Sequence, residues 1–354
     1  MKENTTKNQY EKMTRQMLAS LYEENNLIFS PLSYYLLLAL AYNATAAESQ
    51  KEIAEVLGND DINEYAKLLS VDSKELQIAS GLCLDKTIAE AINKDYLRLG
   101  KRIFDLEIFS SDNALKAIND WVRKKTDGMI PMLLDSLPEN FRLCLLNAIC
   151  FKGKWDKRYK NADIYDESFA GFDKNETVTY LSSEENEYLE DEYFTGFLKD
   201  YRGKRYAFMG LLPKNKGKEG YKEAIKHLDI MKLYQKREWM EVKAIMPEFE
   251  ADNSLDLVAL SKELGINEIF SDCANFSYLT NDAIKISSII QKAYIKVDRS
   301  GTKAAAASAM IAVAMALPIM DRKKTVALDR PFVYCLFDRE KEMPVFVGCH
   351  LCNH

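Results

Sequence analysis

The sequence predicts an α+β fold, with helices crowding the first half of the chain and strands the second. Apolar residues recur at helical spacing near the N-terminus, whereas they alternate with polar residues in later segments such as residues 239–249. These two periods are typical of amphipathic helices and half-buried strands. Helices and strands do not alternate in a βαβ rhythm, which favours the α+β class.

Three helices are predicted in the first sixty residues. Apolar side chains at helical spacing in residues 10–21 indicate an amphipathic helix. Ser30 followed by Pro31 is typical of a helix start, because serine caps free N–H groups and proline fits the first turn. The residues that follow, 34–42, are apolar nearly all round and predict a buried helix. A third helix over residues 48–57 is expected to end at Gly58.

The strands are predicted later in the chain. Residues 143–151, 206–212, 239–249 and 289–298 have strand-like patterns. Residues 332–337 and 344–348, joined by a charged turn, predict a hairpin near the C-terminus. No linker rich in Pro, Gly or Ser interrupts the 354 residues, so one domain over residues 1–354 is expected.

Composition and charge exclude several function classes. The chain is 47% hydrophobic and 29% charged, which is typical of a globular protein. The net charge is −6 and the basic residues are dispersed, so nucleic acid is not expected as a partner. The seven cysteines are odd in number and lie mostly in apolar runs, which disfavours a disulfide framework.

The sequence contains few residues and motifs that are typical of catalytic sites. The only histidines are His227, His350 and His354, and neither a hydrolase nucleophile motif nor a glycine-rich phosphate loop is present. The spacing of Cys349, His350, Cys352 and His354 resembles a metal site, but a strand end with a loose tail is the favoured interpretation. We therefore expect no enzyme, no cofactor and no metal.

An alanine-rich run follows the predicted strand at residues 289–298. Residues 304–317 give 14 small or apolar residues, too few for a transmembrane helix of about 20, so no membrane contact is expected. Alanine favours a buried helix. A strand that inserts between two others is equally compatible, because small side chains lower the steric barrier. Alternate residues would then face the interior, namely Thr302, Ala304, Ala306 and Ser308.

The run resembles the hinge of the reactive-centre loop of serpins, and other segments resemble the same family. These segments are residues 26–33 (NLIFSPLS), 118–130, 147–155, 264–277, 330–332 and 346–348. They occur in the family order over residues 26–348. The resemblance therefore covers nearly the whole chain.

The resemblance implies the serpin fold: a large central mixed β-sheet A, two smaller sheets, about nine helices and an exposed reactive-centre loop at about residues 299–325. It also implies a monomeric suicide inhibitor whose loop is cleaved by a serine protease and inserts into sheet A, trapping the protease as a covalent acyl complex. The implied hinge comprises Gly301, Thr302, Lys303, Ala304, Ala305, Ala306, Ala307 and Ser308.

The resemblance places the cleaved bond about 14 residues after the hinge glycine, at Met315–Ala316. Methionine at this position favours elastase-like or chymotrypsin-like proteases as targets. One alternative is a trypsin-like protease that cleaves at Arg322 or Lys323. Another is a non-inhibitory serpin that acts as a chaperone, carrier or storage protein. A secreted protein is expected, with a signal peptide absent from this sequence, and a cytoplasmic one is the alternative.

Three charges depart from the family pattern at the upper end of sheet A, which is called the breach. Arg299 and Lys303 stand where glutamate is usual, and Glu248 stands where the partner lysine is usual. We therefore predict a charge-reversed Arg299–Glu248 salt bridge. Trp155 is the tryptophan that the resemblance assigns to this region.

The resemblance also identifies a shutter region near the middle of sheet A. Ser30, Ser33 and Asn147 belong to it, and Gln291 stands where many members carry histidine. Glutamine does not titrate, so pH effects of the family are not expected here. Gln291 is expected to form a hydrogen bond with Asn147 or Ser33.

Overall fold

The computed structural model describes residues 2–58, 62–69, 73–110, 114–137, 142–301 and 323–352. Within these ranges the chain forms ten α-helices, where about nine were expected, and two 3₁₀ helices at Asn161–Asp163 and Glu268–Phe270. The α-helices are α1 (Lys2–Leu21), α2 (Pro31–Tyr42), α3 (Ala47–Leu57), α4 (Ile62–Leu69), α5 (Lys86–Glu90), α6 (Lys94–Phe104), α7 (Ala114–Lys125), α8 (Gly217–Lys226), α9 (Ile230–Gln235) and α10 (Val258–Glu263).

The described residues also form fourteen strands. They are β1 (Leu27–Phe29), β2 (Leu76–Leu84), β3 (Glu107–Ser110), β4 (Leu143–Phe151), β5 (Ile164–Ala170), β6 (Asn175–Glu190), β7 (Phe194–Asp200), β8 (Tyr206–Pro213), β9 (Glu238–Pro247), β10 (Phe249–Asp256), β11 (Ile286–Val297), β12 (Lys324–Ala327), β13 (Phe332–Asp338) and β14 (Met343–His350). Helices dominate the first half of the chain and strands the second, so the predicted α+β class is confirmed.

The residues predicted to begin and end helices near the N-terminus do so. The hydroxyl oxygen of Ser30 accepts a hydrogen bond from the backbone N–H of Ser33, and Pro31 begins α2. Helix α2 is buried along almost its whole length, in agreement with its apolar sequence. Gly58 ends α3 with a left-handed backbone, φ +68°, a conformation that glycine adopts without a steric penalty.

One strand prediction is wrong in extent. Residues 239–249 were expected to form a single strand, but β9 ends at Pro247 and β10 begins at Phe249. Proline has no N–H to donate to a sheet ladder, so a strand tends to end there. The two strands belong to different sheets.

The smaller of the two sheets has the order β10-β11-β4-β2-β3 and contains both parallel and antiparallel pairs. Strands β11 and β4 are parallel neighbours, with Gln291 opposite Asn147. Strand β2 is antiparallel to β4, and Ser80 lies opposite Asn147 on that side. Three polar residues therefore occupy one level of this sheet across three adjacent strands.

The second sheet has nine strands in the order β1-β14-β13-β8-β7-β6-β9-β12, with β5 paired to β6. The strands expected in two smaller sheets thus run as one hydrogen-bonded path. Strands β13 and β14 form the predicted antiparallel hairpin. Strand β12 is parallel to β9.

The chain divides into two compact units, each made of three segments. One comprises Met1–Leu21, Ile28–Phe151 and Asp252–Tyr294, and the other comprises Tyr22–Leu27, Lys152–Ala251 and Ile295–His354. The expectation of a single domain over residues 1–354 stays a prediction.

In the first unit, helix α7 covers one face of strands β2 and β4. Ile118, Trp121 and Val122 of α7 are buried together with side chains of these strands. Asn119 holds the segment after the helix, because its Oδ1 accepts hydrogen bonds from the backbone N–H groups of Leu133 and Leu134. Helix α7 therefore covers the face of the sheet at which the parallel strands β4 and β11 lie side by side.

In the second unit, aromatic rings form much of the core. His350 of β14 lies among Phe169, Phe249 and Phe332, with ring centroids 5.3, 4.8 and 5.0 Å away. His350 is 2% exposed, and among the described residues its Nε2 has no hydrogen-bond partner. The predicted strand end is correct for this residue, which lies in a packed core.

All seven cysteines are free thiols. Within the described ranges, no helix is both long enough and apolar enough to cross a bilayer.

Candidate functional site

The chain reverses direction directly after strand β11. Asp298 and Gly301 exchange two backbone hydrogen bonds, of 3.0 and 3.1 Å, so Arg299 and Ser300 form a tight two-residue turn. The carboxylate of Asp298 accepts hydrogen bonds from the N–H and the hydroxyl of Ser300. Asp298 and Gly301 therefore lie opposite each other, paired in an antiparallel bridge.

Gly301 also contacts the segment that follows strand β4. It forms an antiparallel bridge with Lys154 as well as with Asp298. A Cβ atom at Gly301 would lie 2.2 Å from the carbonyl oxygen of Gly153, and its φ of +121° is unfavourable for other residues. Only glycine fits this position without a shift of the backbone.

The predicted ion pair between Arg299 and Glu248 is present. Nε and Nη2 of Arg299 each lie 2.9 Å from a different carboxylate oxygen of Glu248, and the backbone N–H of Arg299 also donates to Glu248. Partial burial raises the pKa of Glu248, but these hydrogen bonds outweigh it and hold the pKa below its usual value. The reversed charges thus recreate a pair at this end of the sheet.

Trp155 is fully buried beside this turn. Its Nε1 donates a 2.8 Å hydrogen bond to the carbonyl oxygen of Asp298. Its ring stacks on Tyr201 at 4.3 Å and meets the edge of Tyr159 at 6.4 Å. Trp155 therefore fixes the residue at which the turn begins.

The sequence interpretation missed a buried ion pair next to Trp155. Nζ of Lys199 lies 2.7 Å from Oε1 of Glu185, and the side chains are 1% and 9% exposed. The same ammonium lies 4.5 Å from the ring centroid of Tyr159 and 5.3 Å from that of Trp155. Burial lowers the pKa of Lys199, although Glu185 opposes the shift. Neither charge stands out in the sequence, because both occur in polar segments.

The shutter residues meet at the polar level of the five-stranded sheet. Gln291 forms two hydrogen bonds with the backbone of Ser30: its Oε1 accepts from the N–H at 2.8 Å and its Nε2 donates to the carbonyl at 2.9 Å. The expected bond from Gln291 to Asn147 or Ser33 is therefore wrong. The carbonyl oxygen and the NH₂ group of the Gln291 side chain bind the N–H and the C=O of the same residue, Ser30. Gln291 therefore links the start of α2 to β11.

Two buried polar atoms of this region have no hydrogen-bond partner in the described part of the chain. They are Oγ of Ser33 and Oδ1 of Asn147. Nδ2 of Asn147 donates a long bond of 3.4 Å to Oγ of Ser80. An unsatisfied buried acceptor costs about 1–3 kcal/mol of stability. The missing hydrogen bonds to Ser33 and Asn147 therefore destabilise this part of the sheet.

Other predicted site residues lie outside the described residues. They are the hinge residues 302–308, the bond Met315–Ala316 and the alternative cleavage residue Arg322. Lys323 is described, and its Nζ lies 2.9 Å from Glu184 and 3.0 Å from Glu241. The described ranges contain no group of three or more His, Cys, Asp or Glu side chains able to hold a metal ion.

Comparison with known proteins agrees with this geometry. Residues 8–353 match the family model described as Serpin (serine protease inhibitor). The chain is 27% identical over 344 residues to an uncharacterized serpin-like protein of Thermococcus kodakarensis, covering 92% of this chain and 80% of that protein. It is 28% identical over 356 residues to the leukocyte elastase inhibitor of Sus scrofa, covering 91% and 92%.

Solved structures are similar over the whole length. The native state of the thermophilic serpin tengpin has a TM-score of 0.87 and 27% sequence identity, covering 99% of this chain and 95% of that one. A complex of thyroxine-binding globulin with thyroxine has a TM-score of 0.83 at 24% identity, covering 99% of each chain. The second likeness concerns the fold alone.

Proposed function

The chain belongs to the serpin family, and on that premise we propose that it inhibits elastase-like or chymotrypsin-like serine proteases by inserting its cleaved loop into the five-stranded sheet. Members of this family are in general protease inhibitors and not catalysts. The inhibitor is consumed in the reaction, because the protease stays attached through an acyl bond to the cleaved loop.

The observation that carries the proposal is the position of Gly301. It already forms antiparallel bridges to Asp298, just after β11, and to Lys154, just after β4. Strands β11 and β4 are themselves parallel neighbours. A strand inserted between them would be antiparallel to both, and antiparallel pairing is slightly more stable per residue than parallel pairing.

The register at Gly301 predicts where each loop residue would lie. Continued without a bulge, it places Ser308 opposite Gln291 on one side and Asn147 on the other, which agrees with the pairing of those two strands. The hydroxyl of Ser308 would then lie within reach of the unpaired Oδ1 of Asn147. The polar residue Ser308 would thus lie level with the polar residues Gln291 and Asn147 of the sheet.

The same register separates the loop residues by face. Ala304 would lie opposite Ile295 and Phe151, which are both buried, whereas Lys303 would lie opposite the less buried Lys296 and Lys152. In this register small side chains would occupy the inward positions, where space is needed. The side chain of Lys303 would point to the other face.

Insertion is expected to release substantial free energy. Strand β11 has 12 residues, and one net hydrogen bond per residue at about 1 kcal/mol gives on the order of 10 kcal/mol. This is comparable to the whole stability of a typical domain, about 5–15 kcal/mol. The uninserted form would then be kinetically trapped, and cleavage would release it.

Met315–Ala316 is the bond that we propose is cleaved. Methionine suits a shallow apolar pocket of an elastase-like or chymotrypsin-like protease. The alternative, cleavage by a trypsin-like protease at Arg322 or Lys323, is disfavoured at Lys323, whose ammonium is held between Glu184 and Glu241. A protease pocket would have to break both ion pairs.

The second candidate function is binding of a ligand or client without inhibition. The solved complex of thyroxine-binding globulin with thyroxine shows that this fold also accommodates a small molecule. The small residues of the hinge favour inhibition, since an inserting strand needs them and a carrier does not.

The test is incubation with pancreatic or neutrophil elastase, followed by denaturing electrophoresis and mass spectrometry. A complex that survives denaturation, with a released fragment that begins at Ala316, is the expected result. Fully active protease with only cleaved chain would exclude inhibition, and a fragment that begins at Lys323 or Lys324 would exclude the proposed bond.

Two neighbouring variants separate insertion from simple binding. Ala304→Glu would place a carboxylate between Ile295 and Phe151, so it should convert the protein into a substrate that is cleaved without trapping the protease. Lys303→Glu introduces the same residue on the other face and should leave inhibition intact. Equal inhibition by both variants would exclude the proposed register.

A further inference from the structure

A buried cation lies beside the point at which the cleaved loop would enter the sheet. Lys199 of β7 is 1% exposed, and its ammonium lies 2.7 Å from the carboxylate of Glu185 on β6. Replacing a buried ion pair by apolar residues is often neutral for stability, because the cost of removing two charges from water offsets their attraction. Stability alone therefore does not account for a charge at this position.

The ammonium of Lys199 contacts two parts of the second unit at once. On β6 it donates hydrogen bonds to the carboxylate of Glu185 and, at 3.3 Å, to the hydroxyl of Ser183. On the segment that follows β4 it donates a long bond of 3.4 Å to the carbonyl oxygen of Lys157. Lys199 thus links the segment after β4 to strands β6 and β7.

Two aromatic rings of the same segment lie against this cation. The ring centroids of Tyr159 and Trp155 are 4.5 and 5.3 Å from Nζ of Lys199. The attraction between a cation and an aromatic face is stronger where both are removed from water. An apolar side chain at position 199 would fill the same space, but it would bind neither the ring faces in this way nor the carbonyl oxygen of Lys157.

Trp155 connects this cation to the turn at which the loop begins. Its Nε1 donates to the carbonyl oxygen of Asp298. Gly301 is bridged both to Asp298 and to Lys154, the chain neighbour of Trp155. A shift of the Trp155 ring would therefore disturb the two residues between which Gly301 is paired.

Other contacts hold the segment without a charge. The ring of Trp155 stacks on Tyr201 at 4.3 Å, and the backbone N–H of Arg202 donates to the carbonyl oxygen of Lys154 at 2.7 Å. These contacts should keep the segment folded when the cation is removed. Loss of Lys199 should then change the position of the Trp155 ring and leave the stability of the fold nearly unchanged.

We propose that Lys199 is a positioning residue for loop insertion, which acts through Trp155 to hold Gly301 paired between the residues after β11 and β4. The inference rests on the proposed inhibition. Insertion there competes with hydrolysis of the acyl ester, in which water displaces the serine hydroxyl of the protease. A paired entry point speeds the first step of insertion, whereas a displaced one leaves more time for hydrolysis.

The test removes both charges, because Lys199→Met alone would leave Glu185 buried without its partner. The double variant Lys199→Met/Glu185→Gln keeps a polar group beside Ser183. Its Tm before cleavage should stay within about 3 °C of the wild type. The number of inhibitor molecules consumed per molecule of pancreatic elastase should rise about threefold, because more of them are hydrolysed before insertion.

A second ion pair of β6 provides the matched control. Nζ of Lys214 lies 2.7 Å from Glu190, at the end of the same strand. Lys214→Met/Glu190→Gln removes this pair and should leave the consumption of inhibitor unchanged. An equal rise in both double variants would overturn the specific role of Lys199.

Insertion is also measured without inhibition, from the fluorescence of Trp155 after loop cleavage. Trp121→Phe and Trp239→Phe in every protein compared leave Trp155 as the single tryptophan. The fluorescence change that accompanies insertion should be about threefold slower in Lys199→Met/Glu185→Gln than in the wild type.

This second measurement separates the two proposals. Elastase that is not trapped, together with slower insertion in the double variant, would overturn the inhibition and support the role of Lys199. Equal insertion rates, or a wild-type loop that does not insert after cleavage, would overturn the role of Lys199.

Discussion

Arg299 and Glu248 form a two-point ion pair, in which Nε and Nη2 of the guanidinium each lie 2.9 Å from a carboxylate oxygen. The pair joins the turn after β11 to the residue between β9 and β10. Arg299 is 55% exposed and Glu248 22% exposed, so solvent screens part of the attraction. The pair is nevertheless fixed at three points, since the backbone N–H of Arg299 also donates to Glu248.

Exchanging these two charges should recover stability that each single change loses. We expect Arg299→Glu and Glu248→Lys each to lower the free energy of unfolding by about 1 kcal/mol, and the double variant to restore about half of the summed loss. Urea titration measures the cycle. The exposed pair Lys285–Asp272 is the control and should show no coupling. A strictly additive Arg299–Glu248 cycle would contradict the role of the pair.

Gly301 should tolerate no side chain. Gly301→Ala combines an unfavourable φ of +121° with a Cβ only 2.2 Å from the carbonyl oxygen of Gly153, so the turn must shift. Gly203→Ala also has a positive φ, +83°, but no atom lies within 4 Å of the new Cβ. We expect Gly203→Ala to cost about 1–2 kcal/mol and Gly301→Ala clearly more, measured as the midpoint of urea unfolding. Equal losses would show that close packing at Gly301 has no effect.

Lys303 should oppose insertion. In the register set at Gly301 it would lie between Lys152 and Lys296, and like charges directly opposite in a sheet destabilise it by roughly 0.2–1 kcal/mol per pair. The loop-cleaved form of Lys303→Glu should therefore have a higher Tm than that of Lys303→Ala, and the wild type the lowest.

The uncleaved proteins are the control for this series and should have equal Tm values. The differences between the cleaved forms should shrink at high salt, because salt screens exposed charges. Cleaved forms with the same Tm would mean that the three lysines do not come together.

His350 should make the protein sensitive to acid. Burial lowers the pKa of His350 to about 3, although Glu176 opposes the shift. The unfolded chain binds the proton near pH 6.5 and the folded chain does not, so stability should fall by about 1.4 kcal/mol per pH unit between about pH 6 and pH 3.

His350→Phe removes this titration and keeps an aromatic ring beside Phe169 and Phe332. Between pH 7 and pH 4.5 the wild type should lose about 2–3 kcal/mol more than His350→Phe, measured by urea unfolding. His227→Gln, at a side chain that is 46% exposed, is the control and should behave as the wild type. An identical pH dependence in His350→Phe would contradict this prediction.

The local elements were predictable from the sequence because their signals are local. The cap at Ser30 and Pro31, the left-handed end at Gly58 and the C-terminal hairpin depend on residues close together in the chain. The Arg299–Glu248 pair joins residues 51 positions apart, and it was predictable only because the family resemblance names both positions.

Other contacts could not be predicted in this way. Gln291 was expected to bond Asn147 or Ser33, and it bonds the backbone of Ser30 instead. Backbone groups carry no residue-specific signal, so no sequence pattern marks them as partners. The Lys199–Glu185 pair was missed because burial of a charge depends on the elements packed around it.

By itself the sequence determined the fold class, the positions of three helices and of several strands, and the family to which the hinge and the motifs belong. Only the tertiary structure decided that β4 and β11 are parallel neighbours and that Gly301 already bridges the residues after both strands. Propensity and periodicity act within a segment, whereas register is set by hydrogen bonds between segments far apart in the chain. The level at which Ser308 would meet Asn147 and Gln291 could therefore be derived only after the strands were paired.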